Sequence, residues 1–320
     1  MKKLSVISAL SLFLLALLSC EKSDVSLDAG KAAVTVSFGI EDAAVVKAGF
    51  GSGSSASVLE YRVYVLRGTS WDLTSVSGRL TEVTYPCEIT LFLVPNMTYR
   101  IACFAQSPQA DAAALYDLAD FDDIAINYDA LQPNSDMGDA FCATRQFVPV
   151  ETSSLSVVLR RPLAQFNVFT GDMALYNTSS VDNPLKSIRL KFYDVPTKMS
   201  IVQGTADESA YVPVRVKDAV QDYEFTCDVL TGEGHGFEGQ TYDHLSMNYL
   251  LASPRSEITS VDLTLRAADG TVVSNVAGIS NVPYQANYRT NLYGNLITNA
   301  VNFNIDIDAQ FDKPDHNVIH

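Results

Sequence analysis

Tryptophan occurs once, at Trp71, and histidine four times, at positions 235, 244, 316 and 320. His235 lies in the glycine-rich stretch 232–239 and His316 and His320 in the polar end of the chain, so no metal-binding face is read from them. None of the five cysteines forms a Cys-x-x-Cys pair, which speaks against a zinc ribbon or a dithiol redox motif. Basic residues are outnumbered, 22 against 37 acidic, for a net charge of −15. Such a surface repels phosphate backbones, so nucleic acid is not an expected partner. No Gly-x-Ser-x-Gly elbow is present, and the glycines at 49–53 lack the Lys-Ser/Thr that completes a phosphate loop. No catalytic constellation, metal site or cofactor is expected, and the protein is not read as an enzyme.

The one long apolar run is at the start. Lys2 and Lys3 precede Leu4 to Leu18, in which only serines interrupt the hydrophobic side chains. That run falls short of the about 20 residues a bilayer span needs and has the proportions of a signal peptide. The sequence 17–20, Leu-Leu-Ser-Cys, resembles the lipobox of bacterial lipoproteins, with Leu18 bulkier than usual at its place. Residues 1–19 are therefore expected to be removed, and Cys20 to carry lipid as the first mature residue. Glu21 follows the cysteine rather than Asp, which by resemblance to lipoprotein sorting does not argue for inner-membrane retention; the expected location is the outer membrane, lipid-anchored, at the cell surface. Cleavage removes Lys2 and Lys3, leaving 20 basic residues against 37 acidic. With no polybasic patch, the lipid is the membrane anchor.

What fills the rest is period-2 alternation. Residues 20–31 are polar and read as a tether. Val34, Val36, Phe38 and Ile40 alternate with small or polar neighbours, as do Leu59 to Val65, Cys87 to Leu93, Tyr99 to Cys103 and Leu155 to Leu159. A turn at Pro95-Asn96 separates two of these runs. The pattern restarts after Pro162 with Leu163 to Thr170, Ile188 to Phe192, Met247 to Ala252 and Val261 to Leu265, and Asp269-Gly270 reads as a hairpin turn. The last run is strict: Val301, Phe303, Ile305 and Ile307 on one face, Asn302, Asn304, Asp306 and Asp308 on the other. Two sets of strands, each the size of a β-sandwich, predict an all-β chain with an N-terminal domain over 32–160, a C-terminal domain over 161–312 and a tail over 313–320. Cys87, Cys103, Cys142 and Cys227 sit in apolar segments and fit no disulfide framework. The acidic run 117–123 is read as a solvated face, since it does not match a calcium loop.

Several segments carry a family resemblance. They are 94–106 (Val-Pro-Asn-Met-Thr-Tyr-Arg-Ile-Ala-Cys-Phe-Ala-Gln), 139–141 (Asp-Ala-Phe), 159–167 (Leu-Arg-Arg-Pro-Leu-Ala-Gln-Phe-Asn), 247–252 (Met-Asn-Tyr-Leu-Leu-Ala) and 281–298, followed by the run 303–311. In this order they resemble the fimbrillin-like lipoproteins of the Bacteroidales. The resemblance implies two tandem transthyretin-like Greek-key sandwiches and a structural or adhesive role in surface fimbriae, with other fimbrial subunits or surface proteins as partners. It also implies assembly by strand addition, in which one chain completes another's sheet. On that reading the run holding Val301, Phe303, Ile305 and Ile307 is the candidate donor strand. Lys47, in the loop between the first two strands, is the candidate site for trimming by a trypsin-like protease; the loop holds no Arg, and an untrimmed anchor subunit is the alternative. A second reading is a monomeric outer-membrane lipoprotein that captures a glycan or host ligand.

Overall fold

The structure is a computed structural model that describes residues 30–41, 50, 55–204, 214–230, 234–237, 239–253, 256–298 and 303–308. The chain is all-β. The first half holds β1 (Ala32–Ile40), β2 (Val58–Arg67), β3 (Ser70–Leu80), β4 (Cys87–Leu93), β5 (Tyr99–Gln106), β6 (Tyr116–Asp117), β7 (Ile124–Ile126), β8 (Ala140–Phe147) and β9 (Thr152–Leu159). The second holds β10 (Leu163–Thr170), β11 (Leu185–Pro196), β12 (Lys198–Ser200), β13 (Arg215–Val216), β14 (Val220–Asp228), β15 (Gly234–Phe237), β16 (Gln240–Leu251), β17 (Ser256–Ala267), β18 (Val272–Tyr284), β19 (Arg289–Gly294) and β20 (Phe303–Asp308). Two short helices, α1 (Pro108–Ala112) and α2 (Met173–Ser179), lie in connections. Ser107 caps α1 by accepting from the Ala110 N–H, and Pro108 starts it where no N–H is required.

In the first half a three-stranded sheet, β4-β1-β9, faces a four-stranded one, β3-β2-β5-β8. Alternation decides which side chains meet. Val34, Val36 and Phe38 of β1 join Leu91 and Leu93, Val157 and Leu159 on one side, and Leu59, Val63, Ile101, Cys103 and Phe141 on the other. Asn96 takes a left-handed φ of 61° in the β4–β5 turn, a conformation that asparagine tolerates better than most residues.

In the second half the sheet β15-β16-β10-β19-β20 faces β14-β11-β17-β18. Phe166 of β10 meets Phe192 of β11 edge-on, with ring centroids 5.0 Å apart. Gly270, with φ of 87°, sits in the β17–β18 hairpin turn expected at Asp269-Gly270.

The two halves are joined by more than the link at Arg160-Arg161. Residues 107–139 leave the first half between β5 and β8, yet Leu115, Phe121, Ile124, Tyr128 and Leu131 pack into the second half's core. A small sheet, β13-β12-β7-β6, pairs strands of both halves.

Candidate functional site

The family resemblance points to the last strand as a donor and to the loop after the first strand as a trimming site, and the structure gives these two strands different surroundings. β1 is the middle strand of its sheet. It runs antiparallel to β4, with Ala32 opposite Leu93 and Phe38 opposite Cys87, and parallel to β9, with Ala33 opposite Thr152 and Ile40 opposite Leu159. Its alternate side chains Ala32, Val34, Val36 and Phe38 are all buried. Taking β1 away would leave a groove walled by the free edges of β4 and β9 and floored by the first core. β20 is an edge strand. Among the described residues it pairs only with β19, antiparallel, with Arg289 opposite Asp308 and Gly294 opposite Phe303. Ile305 and Ile307 are half-buried, Ile305 against the second core, while Asn304 is exposed. Cys20, Lys47 and Val301 lie outside the described residues, as does the Phe303 side chain.

The loop that holds Lys47 touches the second half at one described point. The Phe50 carbonyl accepts from Arg289 Nη2 at 3.1 Å, and its ring lies edge-on to His244 at 6.2 Å. His244 is itself stacked on Phe169, which stacks on Tyr293, which stacks on Phe237. These rings are buried against one another.

Three of the segments that carry the family resemblance, 139–141, 159–167 and 247–252, meet at the seam between the halves. The Asp139 carboxylate takes Arg161 at 2.6 Å and 3.1 Å in a two-pronged pair, and the guanidinium lies 4.5 Å over the Phe141 ring. Both charges are buried. Burial works against the Arg161 charge, but the Asp139 charge and hydrogen bonds outweigh it and hold the group above its ordinary value. Across the seam Tyr249 donates to Asp136 at 2.9 Å, and within the second half Gln165 donates to the Tyr249 hydroxyl at 3.3 Å and Asn167 donates to Asn291 at 2.9 Å. Burial, then the Asp139 and Asp136 charges, push the Tyr249 hydroxyl up, so it stays a donor. This is a packed polar seam that fixes how the halves meet.

The acidic run belongs to the same junction. Asp123 accepts from Lys198 at 2.7 Å and Lys217 at 3.0 Å, and Asp122 accepts from Ser200 at 2.5 Å and Gln203 at 3.0 Å. The run keeps the solvent exposure expected of it, with Asp117 and Asp120 exposed and Asp123 partly so. What no local pattern carries is its pairing with residues about 80 positions away. All four described cysteines are free thiols, and burial raises the Cys103, Cys142, Cys227 and Cys87 pKa, which makes them poor nucleophiles. Among the described residues no group of His, Cys, Asp and Glu is placed to hold a metal ion. His316 and His320 do stand four residues apart, a spacing that suits a helical metal pair, but they lie outside the described residues. No helix among the described residues is long and apolar enough to cross a membrane.

The fold defines a β-rich protein of two packed sandwiches joined by a shared connection. A family model described as a family of unknown function (DUF6562) matches residues 72–319, and the chain belongs to that family. No curated protein matches it. Among solved structures it is similar to a candidate cell adhesion protein from Bacteroides ovatus, at 9% identity and a TM-score of 0.49, covering 89% of this chain and 99% of that one. It is similar to a candidate adhesin from Bacteroides thetaiotaomicron, at 12% identity and a TM-score of 0.49, covering 87% and 97%. It is also similar to the fimbrial anchor protein Mfa2 from Porphyromonas gingivalis, at 12% identity and a TM-score of 0.46, covering 87% and 96%.

Proposed function

We propose that the protein is a lipid-anchored outer-membrane component of a fimbrillin-type surface filament, structural or adhesive, that joins its neighbours by β-strand addition. The observation that carries this reading is the place of β1. A strand at the N-terminal end of the fold fills a two-sided groove with four alternating side chains, and a loop holding Lys47 connects it to β2. Lys47 is the one basic residue between Lys31 and Arg62, so a trypsin-like protease has one cut available there. Such a groove supplies what strand addition needs: main-chain partners on both sides and pockets for alternate side chains. The N-terminal residues supply the anchor, because the several acyl chains of a lipoprotein hold firmly where one would not.

Electron microscopy of wild-type and deletion cells tests the filament role: filaments lost on deletion support it, and unchanged filaments with unchanged adhesion remove it. Replacing Cys20 with Ala tests the anchor. The variant is expected to leave the membrane fraction, and a variant that stays there would show the lipid assignment to be wrong.

A further inference from the structure

At one end of the first sandwich two turns hold apolar side chains out in water. The β4–β5 turn presents Val94 and Met97, 51% and 39% exposed, and the β8–β9 turn presents Val148 and Val150, 51% and 53% exposed. The Asn96 N–H donates to the Pro149 carbonyl at 3.0 Å, so the two turns form one surface. Tight turns are usually built from polar or small residues, and valines at such tips do not serve the turn. Clustered exposed apolar residues with a polar rim mark a contact surface.

The path of the chain says what covers it. β1 begins between these turns, with Ala32 opposite Leu93 and Ala33 opposite Thr152. The first described residue, Gly30, is ten residues beyond Cys20, so an extended tether spans at most about 33–36 Å. Whatever holds Cys20 is therefore within reach of this end. The rim suits a headgroup layer: Lys31 is exposed, and Arg67, reached through the Leu66 N–H to Thr98 carbonyl bond of 2.9 Å, has a largely exposed side chain. Asp72, 3.5 Å from Arg67, and Glu151 are the acidic members of that rim. Four tip side chains are too few for a stable protein interface, which takes about 20–30 residues a side.

We propose that this end is a lipid-facing surface. Val94, Met97, Val148 and Val150 enter the headgroup layer of the membrane that holds Cys20 and fix how the first sandwich stands on it. The inference rests on the lipid-anchor reading of Cys20. Side chains at such tips add to an acyl anchor by shallow burial at the headgroup boundary, the mode of interfacial binding.

The test uses the full lipidated chain reconstituted into phosphatidylethanolamine vesicles, with flotation and hydrogen exchange read together. Amides of Val94, Asn96, Met97, Thr98, Val148, Val150 and Glu151 are expected to exchange about tenfold more slowly than in the soluble Cys20→Ala protein, while the β17–β18 turn is unchanged. A combined Val94→Ser, Met97→Ser, Val148→Ser, Val150→Ser variant that keeps Cys20 is expected to float equally and lose that protection. Wild-type protein that floats with both turns exchanging at the solution rate overturns the proposal and leaves the anchor standing. Wild-type protein that does not float overturns the anchor and the proposal with it. Protection that survives in the serine variant, or that appears without vesicles as protein concentration rises, assigns the surface to another contact and overturns the proposal as well.

Discussion

β1 and β20 have the same sequence signature and opposite places in their sheets. Each alternates apolar and polar residues, β1 through Val34, Val36 and Phe38, β20 through Ile305 and Ile307. β1 has a partner on each side and its apolar face is sealed in the first core; among the described residues β20 has one partner strand, and its isoleucines are half-buried. Alternation says that a strand has a wet and a dry face, but sheet position says how dry the dry face is. The strand whose removal opens a two-sided slot is therefore the first, and the strand with a free edge to offer is the last. On the strand-addition reading proposed above, the first strand would supply the slot and the last the exposable strand.

The comparison breaks most sharply under core truncation. Phe38→Ala removes a fully buried ring from a strand bonded on both sides, and a loss of about 3–5 kcal/mol is expected. Ile305→Ala acts at an edge with water on one side, and a loss of about 1–2 kcal/mol is expected. Urea unfolding of the two variants measures both. Equal losses would mean that β20 is as deeply built in as β1, and the contrast drawn from sheet position would fail.

Deleting residues 300–320 sharpens it next. If β20 chiefly serves its own sheet, the deletion should unfold the second sandwich. If it is a donated strand, the protein should stay folded and stop polymerising. The half-buried isoleucines favour the second outcome. Circular dichroism reads folding and sedimentation reads assembly; a truncated protein that is folded and still assembles would exclude both roles.

Strands were legible where one face is dry and the other wet. β1, β2, β4, β11 and β17 follow runs that the sequence marks plainly, and β10 stood out as an apolar run although all its residues are buried. β8 (Ala140–Phe147) does not, because its first five residues are buried whichever face they lie on, so alternation is lost. β19 (Arg289–Gly294) hid for a related reason: Thr290 and Asn291 are buried polar residues whose partners, the Pro283 carbonyl and Asn167, come from elsewhere in the chain. β3 hid for the opposite reason, as an edge strand with no residue fully buried. The seam was the least legible part. Asp139, Phe141 and Arg161 stood out as members of a familiar pattern, but a charge inside an apolar run does not name its partner. Residues 107–139 were marked only by the acidic run 117–123, while their apolar members complete the core of the other sandwich.

A brief trypsin treatment gives a smaller and more selective test of β1. Cleavage after Lys47 is expected, and the fragment bearing β1 should stay with the body of the protein, because two ladders and four buried side chains still hold it. N-terminal sequencing of the native complex after gel filtration checks this. Protein that resists cutting in this loop, and that starts at Cys20 alone when taken from cells, would remove Lys47 as a processing site and leave an untrimmed anchor subunit.

The smallest expected effect concerns pH, and it separates the apolar hold on β1 from the polar hold between the halves. Lys198 and then Lys217, each through a hydrogen bond, keep the Asp123 carboxyl below its ordinary value. A carboxyl whose folded pKa is depressed adds stability above its unfolded pKa and loses it as pH falls through the folded one. The clamp should therefore be intact at neutral pH and fade only in acid, below the usual carboxylate range of about 3.9. Because the pair is exposed, its share of stability is small and screened by salt. β1 itself holds no titrating side chain and its buried contacts are hydrocarbon, although Glu41 just past its end pairs with Arg160 at 2.8 Å, so its hold should change little over the same range. Lys198→Met should move the Asp123 titration up toward the ordinary carboxylate value, read by NMR, while leaving amide exchange in β1 unchanged. An Asp123 titration that does not move would show that Lys217 alone sets it, and a β1 that loosens in parallel would show that the seam and the first core are coupled.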